Sequence, residues 1–202
     1  MSELVHDDKF HADAIETLAH SGANLSAGLA SDSEAERAAY AITAGLRGDA
    51  AMQDALLGLA DEEALAARAA GWALGQLDAE AALLAAAETG GLDLREQAYR
   101  ALAGLAARGA ASPAVAPAMH TRIDAELERA AKGLTSLAEH ATRVLAVLGD
   151  AKTVAAIQRV VETDSLADRF ELERQRKRVE SDGKDSDAIR ELTDWRIHFA
   201  DD

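Results

Sequence analysis

The chain is 202 residues long, carries no cysteine, and has a formal net charge of −15 from 36 acidic against 21 basic residues. Disulfide staples, thiolate zinc sites and cysteine nucleophiles are therefore excluded, and so acidic a surface repels nucleic-acid phosphates and anionic lipid headgroups. Alanine fills 49 positions whereas Val, Ile, Phe, Tyr and Trp together fill 21, which predicts an all-α protein, because alanine is the best helix former and strand formers are scarce.

The first predicted helix spans residues 8–19 and stops at Ser21-Gly22; a short helix over 24–30 follows. Residues 1–32 read as N-terminal capping helices. A helix over 33–46, opened by the capping-box spacing of Ser33 and Glu36, pairs with one over 49–60. The next pairs are 62–77 with 78–88, 92–107 with a helix inside 114–132 that opens at Pro113 and Pro117, and 134–148 with 150–163. Asp49, Asp78 and Asp150 each stand where a carboxylate caps the next helix. Residues 33–163 form the repeat region, and 164–202, where alanine nearly disappears, form a charged C-terminal helical cap or interaction element with helices over 166–180 and 186–199.

One apolar register returns in four of these helices, each ending on a leucine: Leu46, Leu77, Leu105 and Leu148. Seven residues earlier stand Ala39, Ala70, Ala98 and Ala141; four earlier, Ile42, Ala73, Ala101 and Val144; three earlier, Thr43, Leu74, Leu102 and Leu145. Offsets of 3, 4 and 7 share one face of an α-helix. Recurrence at intervals of a few tens of residues is the mark of a stacked repeat protein.

Two stretches, Arg68-Ala-Ala-Gly-Trp-Ala-Leu-Gly-Gln-Leu77-Asp78 and Arg95-Glu-Gln-Ala-Tyr-Arg-Ala-Leu-Ala-Gly-Leu105, resemble HEAT-like repeats of the short, alanine-rich, phycobilin-lyase type, and Val144-Leu-Ala-Val-Leu-Gly-Asp150 matches the end of the same unit. The resemblance covers residues 33–163. It implies a right-handed α-solenoid of about four to five helix pairs with a C-terminal helical extension. Such proteins serve mostly as protein-binding scaffolds. Other members are bilin lyases, which attach pigment to a client's cysteine, and a di-iron hydroxylase whose metal is held by His-Glu dipeptides. None of the six histidines here precedes a glutamate. HEAT-like proteins of halophilic archaea also stand between response regulators and the archaellar motor switch, and acidity combined with high alanine and 16 arginines to only 5 lysines reads as a halophile's composition, the alternative being an acidic protein of a GC-rich mesophile.

Tyr40 and Tyr99 share the position six before the leucine, and Trp72, Arg100 and Arg143 the position five before it. These offsets point away from the apolar face, so the residues form either a partner-binding ridge or fillers of the grooves between units. Arg174, Arg176, Lys177 and Arg178 are the one basic cluster: a docking patch for an acidic partner, a weak nucleic-acid contact that the overall charge disfavours, or a solvated face with pairs Arg169–Glu173 and Glu173–Lys177. Trp195 and Phe199, four apart, either dock back to close the last repeat or present a helix to a partner's groove. His6, Asp8, His11 and Asp13 can be drawn as a metal site, but the chain end offers no second shell to fix it.

No catalytic set, metal site or cofactor motif emerges. No apolar run reaches the ~18–20 residues of a membrane helix, and residues 1–13 lack the regions of a signal peptide, so the expected location is cytoplasmic. The expected function is a non-catalytic scaffold or adaptor for one or more proteins, with homo-oligomers among the options and neither nucleic acid nor membrane as partner. Its narrower form is a signalling or taxis adaptor between response regulator and archaellar motor. The alternative is a lyase-like or chaperone-like protein handling a tetrapyrrole or other small ligand in a pocket lined by Tyr99, Trp72 and Arg100.

Overall fold

A computed structural model describes residues 12–61, 64–180, 190 and 192–199. Among the described residues every regular element is helical: α1 (Ala12–His20), α2 (Leu25–Leu29), α3 (Glu34–Arg47), a 3-10 turn (Ala50–Met52) leading into α4 (Gln53–Leu59), α5 (Ala64–Gln76), α6 (Glu80–Thr89), α7 (Leu92–Ala107), α8 (Val115–Ala131), α9 (Ala138–Leu148), α10 (Thr153–Thr163), α11 (Arg169–Glu180) and α12 (Trp195–His198). The fold is the expected all-α, HEAT-like solenoid. The predicted beginnings of the first helix, of the second repeat pair and of the last helix, around residues 8, 62 and 186, lie outside the described residues.

Helices α3, α5, α7, α9 and α11 pack side by side in succession, with α1 against α3 at one end. A second row, α2, α4, α6, α8 and α10, lies against them. The pairing differs from the one read in the sequence. Each member of the second row packs chiefly on the helix that follows it: α2 on α3, α4 on α5, α6 on α7 and α8 on α9, while α10 serves both α9 and α11. The reason is where the apolar stripes find cover: α6 buries Leu83, Ala86 and Ala87 as it packs on α7.

The recurring register marks the buried stripe, with one correction. All residues three, four and seven before the four leucines are buried, whereas Leu46 itself is 41% exposed. The first row packs tightly because its faces are nearly bare of side chains. A Cβ on Gly45 would stand 2.8 Å from Trp72 Cζ3 and 2.9 Å from the Ala73 Cα, and one on Gly75 would stand 3.0 Å from the Ala101 carbonyl oxygen. The missing methyl groups are what let neighbouring backbones approach.

Carboxylates of one helix hold the start of a later one. Glu34 accepts the Leu65 N–H at 2.8 Å, Glu80 the Ser112 N–H at 2.7 Å, Glu126 the Leu137 N–H at 3.1 Å and Glu139 the Asp168 N–H at 2.5 Å. These bonds place two boundaries later than expected. Helix α9 opens at Ala138 once Leu137 is held by Glu126, and α11 opens at Arg169 once Asp168 caps the Phe170 and Glu171 N–H groups. Asp49 and Asp150 accept the Ala51 and Lys152 N–H groups as expected. Asp78 does not cap α6: it is the left-handed turn residue (φ 54°), and its carboxylate pairs with Arg108. At the other end, the Arg47 guanidinium donates to the carbonyls of Leu18, Ala19, Ser21 and Ala23, closing the C-terminus of α1.

Two glycine substitutions separate close approach from ordinary helix propensity. Gly45→Val will lower stability by about 1–3 kcal/mol through overpacking. Gly58→Ala, inside α4 with nothing within 4 Å of the added methyl, will raise it by about 0.5–1 kcal/mol. Thermal unfolding followed by circular dichroism checks both.

Candidate functional site

The last turn of α1, fixed by Arg47, the end of α3 and the outer face of α5 leave a trough that the C-terminal segment roofs. Trp72 and Gln76, one turn apart on α5, line it together with Trp195, as do Gly45 and Leu46 of α3 and the polar residues Glu16, His20, Asp194 and Arg196. The cleft, broadly open to solvent, measures about 610 Å³, inside the ~300–1,000 Å³ span of small-molecule pockets.

The roof is anchored at three points. Arg196 pairs with Glu16 of α1 and lies over the Trp195 ring at 5.2 Å. Phe199 sits under the Arg68 guanidinium of α5 at 5.4 Å. The Leu192 carbonyl oxygen comes within 3.5 Å of the place a Cβ would take on Gly104 of α7. Leu192, Trp195 and Phe199 are all buried. Trp195 and Phe199 thus dock back, but onto α1, α5 and α7 at the far end of the stack and not onto the last repeat as expected. The bare, small-residue face of the first row is there, and apolar rings bury most area against it.

Among the described residues Trp72 Nε1, Trp195 Nε1 and Gln76 Nε2 are buried without an acceptor, closed off from the water-accessible cleft as well as from bulk solvent. Each such N–H costs about 1–3 kcal/mol when left unmade.

The other predicted residues separate. Tyr40 is half-buried with its ring flat on Gly28 of α2. Tyr99 is 1% exposed and donates from its hydroxyl to Glu126 Oε1 at 3.2 Å, beside the Arg95 guanidinium at 3.5 Å from the same oxygen. This corrects the expectation that its offset faces outward: α7 is covered by α5, α9 and α6, and α8 brings Glu126 to the tyrosine. Burial and the adjacent carboxylate push the Tyr99 phenol well above its ordinary value. Arg100 and Arg143 are half-buried in a charged strip across α7, α9 and α11, with Arg100 on Glu96 at 2.6 Å and Arg143 Nε 3.7 Å from Glu171. Burial lowers the Arg100 guanidinium, opposed by Glu96. The basic cluster of α11 splits: Arg174 pairs with Glu171 at 2.5 Å and Arg176 with Glu173 at 2.9 Å on the exposed face beside Lys177, while Arg178 is buried. Of the pocket imagined from the sequence, only Trp72 lines the cleft; Tyr99 and Arg100 do not. Gln76, Glu16 and Arg196 were missed, because nothing in a linear pattern shows that chain end meeting chain start. His6, Asp8 and His11 lie outside the described residues.

His140, in the charged strip, has its pKa lowered to about 4 by burial, reinforced by Arg100 and Arg143 and opposed by Glu96 and Glu171. The imidazole is neutral in the fold at pH 7. As pH falls from ~6.5 toward 4, the unfolded chain takes up a proton that the folded one refuses, so stability is present at neutral pH and drains through that window. His140→Gln removes this component, and urea unfolding at pH 7 and pH 5 will show a smaller loss for the variant than for the wild type.

No protein-family model matches the chain, and no curated protein matches it. Among solved structures it is similar to a chain in the complex of CpcE and CpcF of phycocyanin lyase from Nostoc sp., with a TM-score of 0.53, 20% sequence identity, and 95% of this chain and 73% of that one covered. At that identity the likeness shows the fold, a helical stack of the phycobilin-lyase type. It also corrects two expectations. The solved counterpart is a lyase complex and not a signalling or taxis adaptor, so the non-catalytic scaffold between response regulator and archaellar motor loses its ground, and the fold gives no reason to class the chain as a non-enzyme.

Proposed function

We propose that the chain is a lyase-like protein that holds a tetrapyrrole in the cleft between Trp72 and Trp195 and presents it to a protein client. The observation that carries this reading is the cleft itself: the two tryptophans of the chain, more than 120 positions apart in sequence, wall one cavity of about 610 Å³. Broad aromatic walls suit a flat conjugated ligand. The likeness to a phycocyanin lyase along 95% of the chain supports the choice of pigment. Because the chain has no cysteine, any thioether to the pigment forms on the client. Arg174, Arg176 and Lys177, exposed on α11 in a strongly acidic protein, are the residues we assign to contact with an acidic client surface.

The setting we propose is a high-salt cytoplasm. Excess carboxylates repel one another, and molar salt shortens the Debye length to about 3 Å. The melting temperature will then rise steadily between 0.1 M and 3 M KCl; a flat or falling profile contradicts the setting.

Absorbance titration with biliverdin and with haem tests the function. Saturable binding of one pigment per chain with a perturbed visible band is the expected result, and Trp72→Ala will weaken it at least tenfold. Absence of saturable binding of either pigment by the wild-type chain removes the reading.

A further inference from the structure

We infer that the forward face of α11 is the docking site for an acidic, amphipathic helix of a partner protein, with Phe170 as its apolar anchor and Arg174 and Lys177 as its charge contacts. The inference rests on the proposed function only in taking cations of α11 as a client contact, and it is independent of the pigment. It adds the anchor and the kind of element the partner brings.

The repeat register shows which way this face points. On α7, Gln97 and Ala101 look back to α5, where they lie against the Gly71 and Gly75 positions. One place earlier, Glu96 looks forward to α9, 3.8 Å from His140, and Arg100 is bonded to Glu96 one turn on. On α11 the backward pair is Glu171 and Gln175. Glu171 stands 3.7 Å from Arg143 of α9, and Gln175 accepts from the Thr142 hydroxyl at 2.7 Å and donates to the Glu139 carbonyl at 3.0 Å. One place earlier on each turn come Phe170 and Arg174, with Lys177 on the same side. They occupy the face on which α7 receives α9.

That face is open. Phe170 is 86% exposed, and Leu166, on the turn that leads into the helix, is 88% exposed although the Asp164 carboxylate fixes its N–H at 3.0 Å. Among the described residues the next most exposed large apolar side chain, Leu134, reaches only 49%, so these two stand apart. A large ring left in water where a stacked helix would lie has the character of an interface anchor.

The cations say what covers it. Across the preceding contact, Arg143 of α9 meets a carboxylate of α11. On the forward face of α11 stand Arg174, whose side chain is 71% exposed, and Lys177, exposed and with no ion pair among the described residues. Glu171 is divided among Arg174, Arg143 and Gln175, and Glu173 goes to Arg176, so neither carboxylate neutralises the face. A helix with carboxylates beside an apolar stripe matches it at contact range, and the net charge of the chain acts beyond that range, where salt screens it. A second copy fits badly: two α11 helices laid face to face about a two-fold axis bring Arg174 and Lys177 against their own equals. An anionic bilayer is an extended plane and meets the acidic surroundings as well, whereas one helix meets α11 alone.

The test uses the full-length chain and two labelled helical peptides of about 20 residues. Both carry the same leucine stripe, flanked in one by glutamates and in the other by lysines, and binding is followed by fluorescence anisotropy in about 0.15 M KCl. The expected result is saturable binding of the glutamate peptide, about tenfold or more tighter than the lysine peptide. Phe170→Ala will weaken it about tenfold, and Arg174→Gln with Lys177→Gln about fivefold. Lys132→Gln, which removes a charge at the exposed end of α8, will leave it unchanged. No saturable binding of the glutamate peptide, equal binding of the lysine peptide, or full affinity in Phe170→Ala overturns the inference. So does a wild-type dimer that Phe170→Ala turns into a monomer in sedimentation, which makes the occupant a second copy, and so does binding to phosphatidylcholine–phosphatidylserine vesicles that depends on Phe170. If biliverdin fails to bind while the glutamate peptide behaves as expected, the pigment reading falls and this one stands. If biliverdin binds and the glutamate peptide does not, the reverse holds.

Discussion

The contact on which the structure depends is that of one first-row helix lying directly against the next. Gly45 against Ala73 and Gly75 against Ala101 bring backbones together with almost nothing between them. An alanine-rich interior buries little area per residue, and at roughly 25 cal/mol per Å² of apolar surface it gains little from any one side chain. It gains instead from close, repeated contact, in which many weak dispersion terms add. The completely buried Ala38, Ala41, Ala44, Ala69, Ala73 and Ala141 are the visible result. A stack held this way has no single enclosed centre. Its stability is distributed along neighbours, as in other one-dimensional repeat folds.

That arrangement sets the polar chemistry as well. With short helices, many backbone N–H groups face helix beginnings that need acceptors. Glu34, Glu80, Glu126 and Glu139 reach across to the starts of later helices and supply them. Part of the acidity is therefore structural, spent on joining one repeat to the next. Glu126 shows how far this goes: it takes the Tyr99 hydroxyl, the Leu137 N–H and the flank of Arg95 together. Glu139 bears its own cost, since burial and the nearby Asp168 and Glu171 raise its pKa despite the Asp168 N–H that it accepts.

The two regions with a chemical character of their own arise from the same geometry. On α7, α9 and α11 a strip of Glu96, Arg100, His140, Arg143 and Glu171 runs across adjacent helices at matching heights. At the other end, the C-terminal segment crosses α1, α5 and α7 and converts an open trough into a cleft. Both features exist only because residues far apart in sequence occupy equivalent places on stacked helices.

Composition and periodicity determined a good deal unaided. Forty-nine alanines and few strand formers dictate helices, and offsets of 3, 4 and 7 dictate which face of each is buried; the turn chemistry of Asp49 and Asp150 and the extent of α7 were legible for the same local reason. What lay beyond the sequence was every feature fixed by contact at long range. Tyr99 lies inward because α8 brings a carboxylate to it, and Asp78 leaves its capping role because Arg108 reaches it from the next unit. Each second-row helix belongs to the helix after it because apolar stripes bury where neighbours cover them best, not where a short link suggests. The cleft is the extreme case. Trp72 and Trp195 line one cleft only after the stack has formed and the C-terminal segment has crossed back to α1 and α5. Hydrogen-bonded helices are set by neighbours three and four residues away, whereas a binding site is set by which surfaces remain uncovered when packing is complete.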